Sequence, residues 1–185
     1  MRKINAITPK TTILFWCMLF FAQLGFAQTT LSFKNAVQYG SQENNLSVMI
    51  STDFNGKYDL ENVQKATWKD VTEKFHLASD KSFIASGDLD MSPWIKPGQQ
   101  VYLAFRYLGQ ASPKPTQRSW VISKISLTSD GVDHRIPTER FTIVDAPENL
   151  EGATWMKSAV ALRFRSNLSK IKSESWAIVP ITEAK

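Results

Sequence analysis

One segment, residues 100–108 (QVYLAFRYL), constrains the fold of this chain more than any other. Every second position in it is apolar, which is the period of a β-strand with one buried face. That face carries Val101, Leu103, Phe105 and Tyr107. The other face carries Arg106 among apolar neighbours, which indicates partial cover rather than open solvent. A strand that is buried on one face and partly covered on the other requires a layered β structure.

The same pattern of short strands separated by polar turns recurs along the chain, with turns every 8–15 residues. We count about nine or ten strands and no long helix. The predicted segments besides 100–108 are 31–37, 46–51, 67–71, 82–86, 88–91, 118–127, 140–144, 158–165 and 175–181. Pro180 cannot donate a ladder hydrogen bond, so the last strand should lie at an edge or end there. The pattern predicts an all-β fold, an antiparallel jelly-roll β-sandwich.

The first 27 residues are typical of a secretory signal peptide. A basic start precedes the apolar run 13–21, and small residues flank a cleavage position after Ala27. A membrane anchor is the alternative, but the run is shorter than the roughly 20 residues that a spanning helix needs. We therefore expect residues 28–185 to be exported to the periplasm, the cell surface or the medium, with no transmembrane segment after cleavage.

Cysteine content and charge exclude several function classes. Cys17 is the only cysteine and lies within the apolar run, so the exported chain has no disulfide, thiol nucleophile or cysteine-based zinc site. The full chain has a net charge of +5, and residues 1–27 hold three basic and no acidic residues, which leaves +2. With no basic block, we expect no nucleic-acid partner. The remaining 158 residues suit a single domain, 28–185.

Five segments, in this order and spacing, resemble a known group of bacterial surface domains. The chain is similar to choice-of-anchor J and cleaved-adhesin jelly rolls, and most similar to the related uncharacterised family of surface proteins encoded near polysaccharide-uptake systems. The resemblance covers residues 31–127 and implies a jelly-roll fold at the cell surface. Its segments are STDF (51–54), WKDVT (68–72), SGDLDMS (86–92), VYLAFRY (101–107) and WVISKI (120–125).

The chain departs from that family pattern in two places. Ser123 and Lys124 stand where the family often has Asp and Asn, which removes any ligand role of those groups. The tryptophan-containing strands that usually come first have their nearest equivalents at the C-terminus. Residues 139–181 then either complete the sheets of one permuted sandwich or begin a truncated second copy. We favour the first arrangement, because an uncompleted buried edge would leave backbone groups unpaired.

The residues give little support for catalysis. His76 and His134 lie in polar, loop-like surroundings, and no serine elbow or metal-binding histidine spacing is present. Asp88 and Asp90 lie on one face of a short strand, and the strand rise places their Cα atoms about 7 Å apart. This spacing is compatible with a glycosidase carboxylate pair. Alternating acids are more typical of the solvent face of an edge strand. We therefore predict a protein that is not an enzyme, and rank a glycoside hydrolase well below a binding protein.

A structural calcium ion is the best metal hypothesis. Asp53, Asn55 and Asp59 flank Gly56 in one polar loop, and oxygen ligands on a flexible loop suit Ca²⁺. Lys57 inside the loop counts against tight binding. The alternative is an Asx-type turn in which Asp53 and Asn55 bond to nearby backbone groups.

The aromatic residues suggest a ligand site. Trp94 follows Pro93 in a turn and is the best candidate for an exposed platform, with Arg106 and Tyr107 on the same rim. An ordinary half-buried loop aromatic is the alternative for Trp94. We predict an exported, non-catalytic binding or adhesion module that binds carbohydrate at the cell envelope. The alternative is a structural or accessory envelope protein that binds another protein. The remaining strand tryptophans are predicted to be core residues: Trp68, Trp120 and Trp176.

Overall fold

Two antiparallel sheets pack face to face in the computed structural model, which describes residues 28–149, 152–165 and 171–182. These residues form twelve strands, one short α-helix and two 3₁₀ turns. The predicted all-β antiparallel sandwich is confirmed. The predicted signal peptide, residues 1–27, lies outside the described residues.

The first sheet has seven strands in the order β10-β11-β7-β1-β4, with β5 also paired to β1 and β8 to β7. Its strands are β1 (Thr30–Tyr39), β4 (Ile84–Ala85), β5 (Leu89–Asp90), β7 (Ser119–Ser129), β8 (Val132–Arg135), β10 (Thr154–Ser158) and β11 (Ala161–Arg165). The predicted strand over residues 158–165 is instead the second half of a hairpin, because the chain turns between Ser158 and Ala161.

The second sheet has five strands in the order β3-β2-β6-β12-β9. They are β2 (Leu46–Ser51), β3 (Lys69–Asp70), β6 (Tyr102–Gly109), β9 (Thr142–Asp145) and β12 (Ser173–Pro180). The last strand lies between β6 and β9 and not at a sheet edge, and it ends at Pro180, which is the second of the two predicted alternatives. Its pairing with β9 stops earlier, at Ile178.

Strands from the last quarter of the chain lie in both sheets. In the second sheet β12 lies between β6 and β9, and in the first sheet β11 pairs with β7. Each sheet therefore combines strands from before and after residue 139.

The main core fills the space between the sheets and is rich in aromatic residues. Phe105 and Tyr107 of β6 are fully buried there, as the alternation of their segment requires. Each such side chain stabilises the fold by about 1.5–3 kcal/mol through burial. A buried polar link joins the sheets, because Asn45 accepts a hydrogen bond from Trp120 Nε1 (2.9 Å) and donates one to Tyr107 Oη (3.1 Å).

A second, smaller core covers the outer face of the second sheet. The segment 52–68, which the sequence predicts as a polar loop, contains helix α1 (Leu60–Lys65) and lies across this face. We call it the 52–68 cover. Val63 of α1 is fully buried, and the Trp68 ring lies 5.3 Å from the Trp176 ring. Trp120 and Trp176 are core residues as predicted, whereas Trp68 is half-buried.

Candidate functional site

Trp94, the predicted platform, is half-buried and packs against the main core. The turn that carries it is closed by a hydrogen bond from its backbone N–H to Met91 O (3.0 Å), and Met91 is fully buried. This geometry matches the alternative of an ordinary loop aromatic.

Tyr107 cannot line a surface rim, and its predicted ligand role is wrong. Its side chain is fully buried and stacks on Phe164, with ring centroids 3.5 Å apart. Its hydroxyl donates to Arg118 O (2.8 Å). Position 107 shares the inward face of β6 with Phe105, so the alternation of the strand places it in the core.

Arg106 projects from the opposite face of β6. Its guanidinium lies 5.0 Å from the centre of the Trp176 ring, and Nη2 lies 3.0 Å from Glu174 Oε1. Trp176 Nε1 donates to the same carboxylate oxygen (3.0 Å). Trp94 and Tyr107 belong to the main core, so the structure does not bring the three predicted ligand residues to one rim.

The predicted calcium residues make internal hydrogen bonds that hold the 52–68 cover in place. Asp53 accepts from Ser51 Oγ (2.8 Å), and the Asn55 side chain accepts from Lys57 N (2.9 Å). Asp59 caps α1 by accepting from Asn62 N (2.8 Å). Among the described residues, no group of three or more His, Cys, Asp or Glu is placed to hold a metal ion. The geometry favours the Asx-turn interpretation.

The same hydrogen bonds set the acidity of two carboxyl groups. Partial burial acts to raise the pKa of Asp53, but hydrogen bonds from Thr67 and Ser51 outweigh it, and the net effect lowers that pKa. The pKa of Asp59 is lowered by the backbone N–H and the side-chain amide of Asn62. Both groups therefore stabilise the cover in their charged forms.

The cover should loosen in acid because of these two groups. A depressed pKa in the folded state adds stability above the unfolded value of about 3.9, and that stability is lost as the pH falls through the folded pKa. The free energy of unfolding should therefore fall less steeply between about pH 4 and pH 2 in the double variant Asp53→Asn, Asp59→Asn than in the parent. Chemical denaturation followed by tryptophan fluorescence measures this, and equal slopes would contradict the assignment.

A polar cleft of about 390 Å³ lies on the outer face of the first sheet. Strands β1, β7 and β8 and the segment between β4 and β5 form its walls. Charged side chains of both signs line it: Lys34, Asp88, Lys124, Asp133 and Arg135. None of these side chains forms a hydrogen bond or an ion pair with another described residue. No described residue therefore occupies their hydrogen-bonding groups, which can serve a ligand.

A β-bulge directs Lys124 into this cleft. Ser32 pairs with Ser126 and Lys34 with Ser123, so β7 has one more residue than β1 in this interval. Lys124 takes φ of +50°, which costs a residue with a side chain about 1–2 kcal/mol. Bulges re-aim side chains beside functional sites, and local strain of this kind is concentrated at such sites.

An exposed aromatic residue lies two positions before Ala85, which lines the cleft. Along residues 83–86, Phe83 and Ala85 are exposed, whereas Ile84 packs on the core and Ser86 is buried. Ala85 lines the cleft, and Phe83 projects on the same side of the chain with 53% of its surface exposed. Phe83 thus has the exposed position that the sequence predicts for Trp94.

The two carboxylates of the predicted pair, Asp88 and Asp90, have different surroundings. Asp88 and Asp90 are both exposed, but Asp90 accepts a hydrogen bond from Ser92 N (2.9 Å), and only Asp88 lines the cleft. The hydrogen bonds of Ser92 lower the pKa of Asp90.

Comparison with known families places this site within a recognised domain. Residues 22–147 match the model of a domain of unknown function (DUF5017), which is more than half of the chain. The chain belongs to this family. No curated protein and no solved structure matches it. Every residue that lines the cleft falls within the DUF5017 match, whereas interior strand β12 lies beyond its end. In the described residues, no helix has the length and apolar character that crossing a membrane requires.

Proposed function

We propose that this DUF5017 protein is an exported, non-catalytic module that binds carbohydrate at the cell envelope. The observation that carries the proposal is the outer cleft, which is lined by charged side chains that pair with no other described residue and lies two residues along the chain from exposed Phe83. Export rests on the signal-peptide pattern of residues 1–27.

The chemistry of the cleft suits a sugar. A sugar hydroxyl both donates and accepts hydrogen bonds, and the cleft offers cationic donors as well as carboxylate acceptors. Its volume falls within the range of small-ligand sites, about 300–1,000 Å³. Phe83 supplies an apolar face against which the C–H face of a sugar ring can pack.

A second candidate function is the binding of another envelope protein, and one surface favours it. Strand β10 is an edge strand of the first sheet, with Met156 exposed on it and Val160 exposed in the following turn. A sheet edge with exposed apolar side chains can pair with a strand of a partner.

Binding of the purified residues 28–185 to a glycan array tests the proposed function. The strongest glycan is then titrated by calorimetry against the parent, Phe83→Ala and Tyr58→Ala. Tyr58 is the matched control, since it is a partly exposed aromatic residue in the 52–68 cover on the opposite face. We expect Phe83→Ala to weaken binding at least about fivefold, equivalent to about 1 kcal/mol, with Tyr58→Ala near the parent.

Three outcomes would contradict the proposal. Absence of binding to every glycan would favour the protein-partner function, and equal losses in both variants would remove the cleft as the site. Release of new reducing ends from the bound glycan would indicate a hydrolase instead of a binding module.

A further inference from the structure

We infer that the cleft selects an acidic saccharide, one that carries a carboxylate or a sulfate group. This inference rests on the proposed function and adds the class of ligand. Three features support it: the charge of the outer face of the first sheet, the backbone conformation of Lys124, and the positions of the two cleft carboxylates.

Positive charge predominates on this outer face. In the register of the sheet, Lys34 pairs with Ser123, and Arg163 lies opposite Val121. Leu162 and Phe164 belong to the main core, so Arg163 and Arg165 project outward, and both are exposed. The outward cations are Lys34, Lys124, Arg135, Arg163 and Arg165.

Fewer acidic groups oppose these cations. The outward carboxylates are Asp88, Asp90 and Asp133, and Asp90 is engaged by Ser92. Like charges on one face repel one another in the free protein. An anionic ligand group would relieve that repulsion and form charge-assisted hydrogen bonds with the cationic side chains.

Lys124 is the residue whose position is hardest to explain by folding alone. Glycine would adopt its left-handed backbone conformation without strain, whereas lysine does so at a cost. The bulge carries its ammonium group to the wall of the cleft, where no described residue pairs with it. The fold itself does not require this backbone strain at Lys124. A contact between the ammonium group and the ligand would account for it.

The two free carboxylates give the cleft its selectivity for a sugar over a simple anion. Asp88 and Asp133 can accept hydrogen bonds from ring hydroxyls while the cations hold the acidic group. An inorganic anion would be attracted by the cations but repelled by the two carboxylates, because it has no hydroxyl group that could donate a hydrogen bond to them. The expected ligand thus combines one anionic group with neighbouring hydroxyls.

Matched glycan pairs test the inference. The probes are tetragalacturonate and its neutral methyl ester, and a sulfated galactan oligosaccharide with its desulfated form, each titrated into the parent by calorimetry. We expect the acidic member of at least one pair to bind about tenfold or more tightly than its neutral partner. Its affinity should fall as sodium chloride is raised, because exposed charges are screened.

Lys124→Gly separates binding from folding. Because glycine suits the bulge, this variant should melt at or above the temperature of the parent, yet lose about tenfold in affinity for the acidic glycan and little for a neutral one. Lys57→Gln, which removes an exposed lysine from the 52–68 cover, is the control and should bind as the parent does.

The outcomes distinguish the inference from the proposed function. Equal binding of acidic and neutral members, or an undiminished affinity of Lys124→Gly, would overturn the acidic selectivity and leave carbohydrate binding intact. Binding of sulfate or acetate alone with the same affinity as the oligosaccharide would reduce the site to a simple anion site. Failure of every glycan, neutral ones included, would contradict the proposed function itself.

Discussion

Replacement of Tyr107 with alanine is expected to destabilise the domain by about 3–5 kcal/mol, the usual cost of removing a large buried aromatic side chain. Tyr107 has no exposed surface and stacks on Phe164 at a centroid distance of 3.5 Å. Its loss would leave a cavity between the sheets and remove the acceptor for Asn45 Nδ2. Urea denaturation monitored by circular dichroism measures the change.

Tyr107→Phe is the control that separates packing from hydrogen bonding. It retains the ring on Phe164 but leaves Asn45 Nδ2 and Arg118 O without the hydroxyl, at a cost of about 1–3 kcal/mol. If Tyr107→Ala instead folded with the stability of the parent and lost only ligand binding, Tyr107 would be a rim residue and its place in the core would be wrong.

Gly40→Ala should be strongly damaging, since among the glycines whose surroundings are described it has the closest backbone contact. Gly40 has φ of +81°, and a Cβ there would lie 2.1 Å from the backbone oxygen of Gln117 and 2.7 Å from Arg118 Cα. Neither contact is with a flexible side chain, so β1 and the start of β7 would have to separate. We expect a loss of more than about 4 kcal/mol, in the range where single substitutions abolish folding.

Gly98→Ala is the matched control for that change. Gly98 also has a positive φ, +75°, but no atom lies within 4 Å of a Cβ placed there. Its substitution should cost only the strain of the left-handed backbone, about 1–2 kcal/mol. Melting temperatures of the two variants measure the difference. Similar losses in both would show that backbone strain alone matters and that the close approach at Gly40 can relax.

The alternation of apolar residues was enough to predict the fold. It also indicates which side chains of β6 are buried. Tyr107 and Phe105 share one face of that strand, so period two places Tyr107 inside. Assigning it to a rim with Arg106 relied on closeness in sequence, but neighbouring residues of a strand point to opposite faces.

Helix α1 was missed because it has only six residues and its stability comes from packing. A helix this short does not form on its own. Its stability comes from Val63, which is buried in the smaller core together with Trp176, with Trp68 packed against it. A local signal was present, because Asp59 precedes the helix as an N-cap residue, although its position beside Gly56 predicted a metal ligand.

The cleft could not be read from the sequence because its walls come from strands far apart in the chain. Lys34 and Lys124 are neighbours only through the pairing of β1 with β7, and a bulge shifts that register by one residue. The resemblance to bacterial surface domains predicted no ligand role for Ser123 and Lys124, so Lys124 was not among the predicted site residues.

The most direct test of the central claim, that the outer cleft binds the ligand, is an NMR titration of isotope-labelled residues 28–185 with the tightest-binding acidic oligosaccharide. The amide signals that shift should cluster at residues 32–34, 83–88, 124–126 and 133–135, which surround the cleft. Signals of the 52–68 cover and of Trp94 should stay in place. Shifts confined to the cover or to the Trp94 turn would contradict the claim and move the binding site to another face of the sandwich.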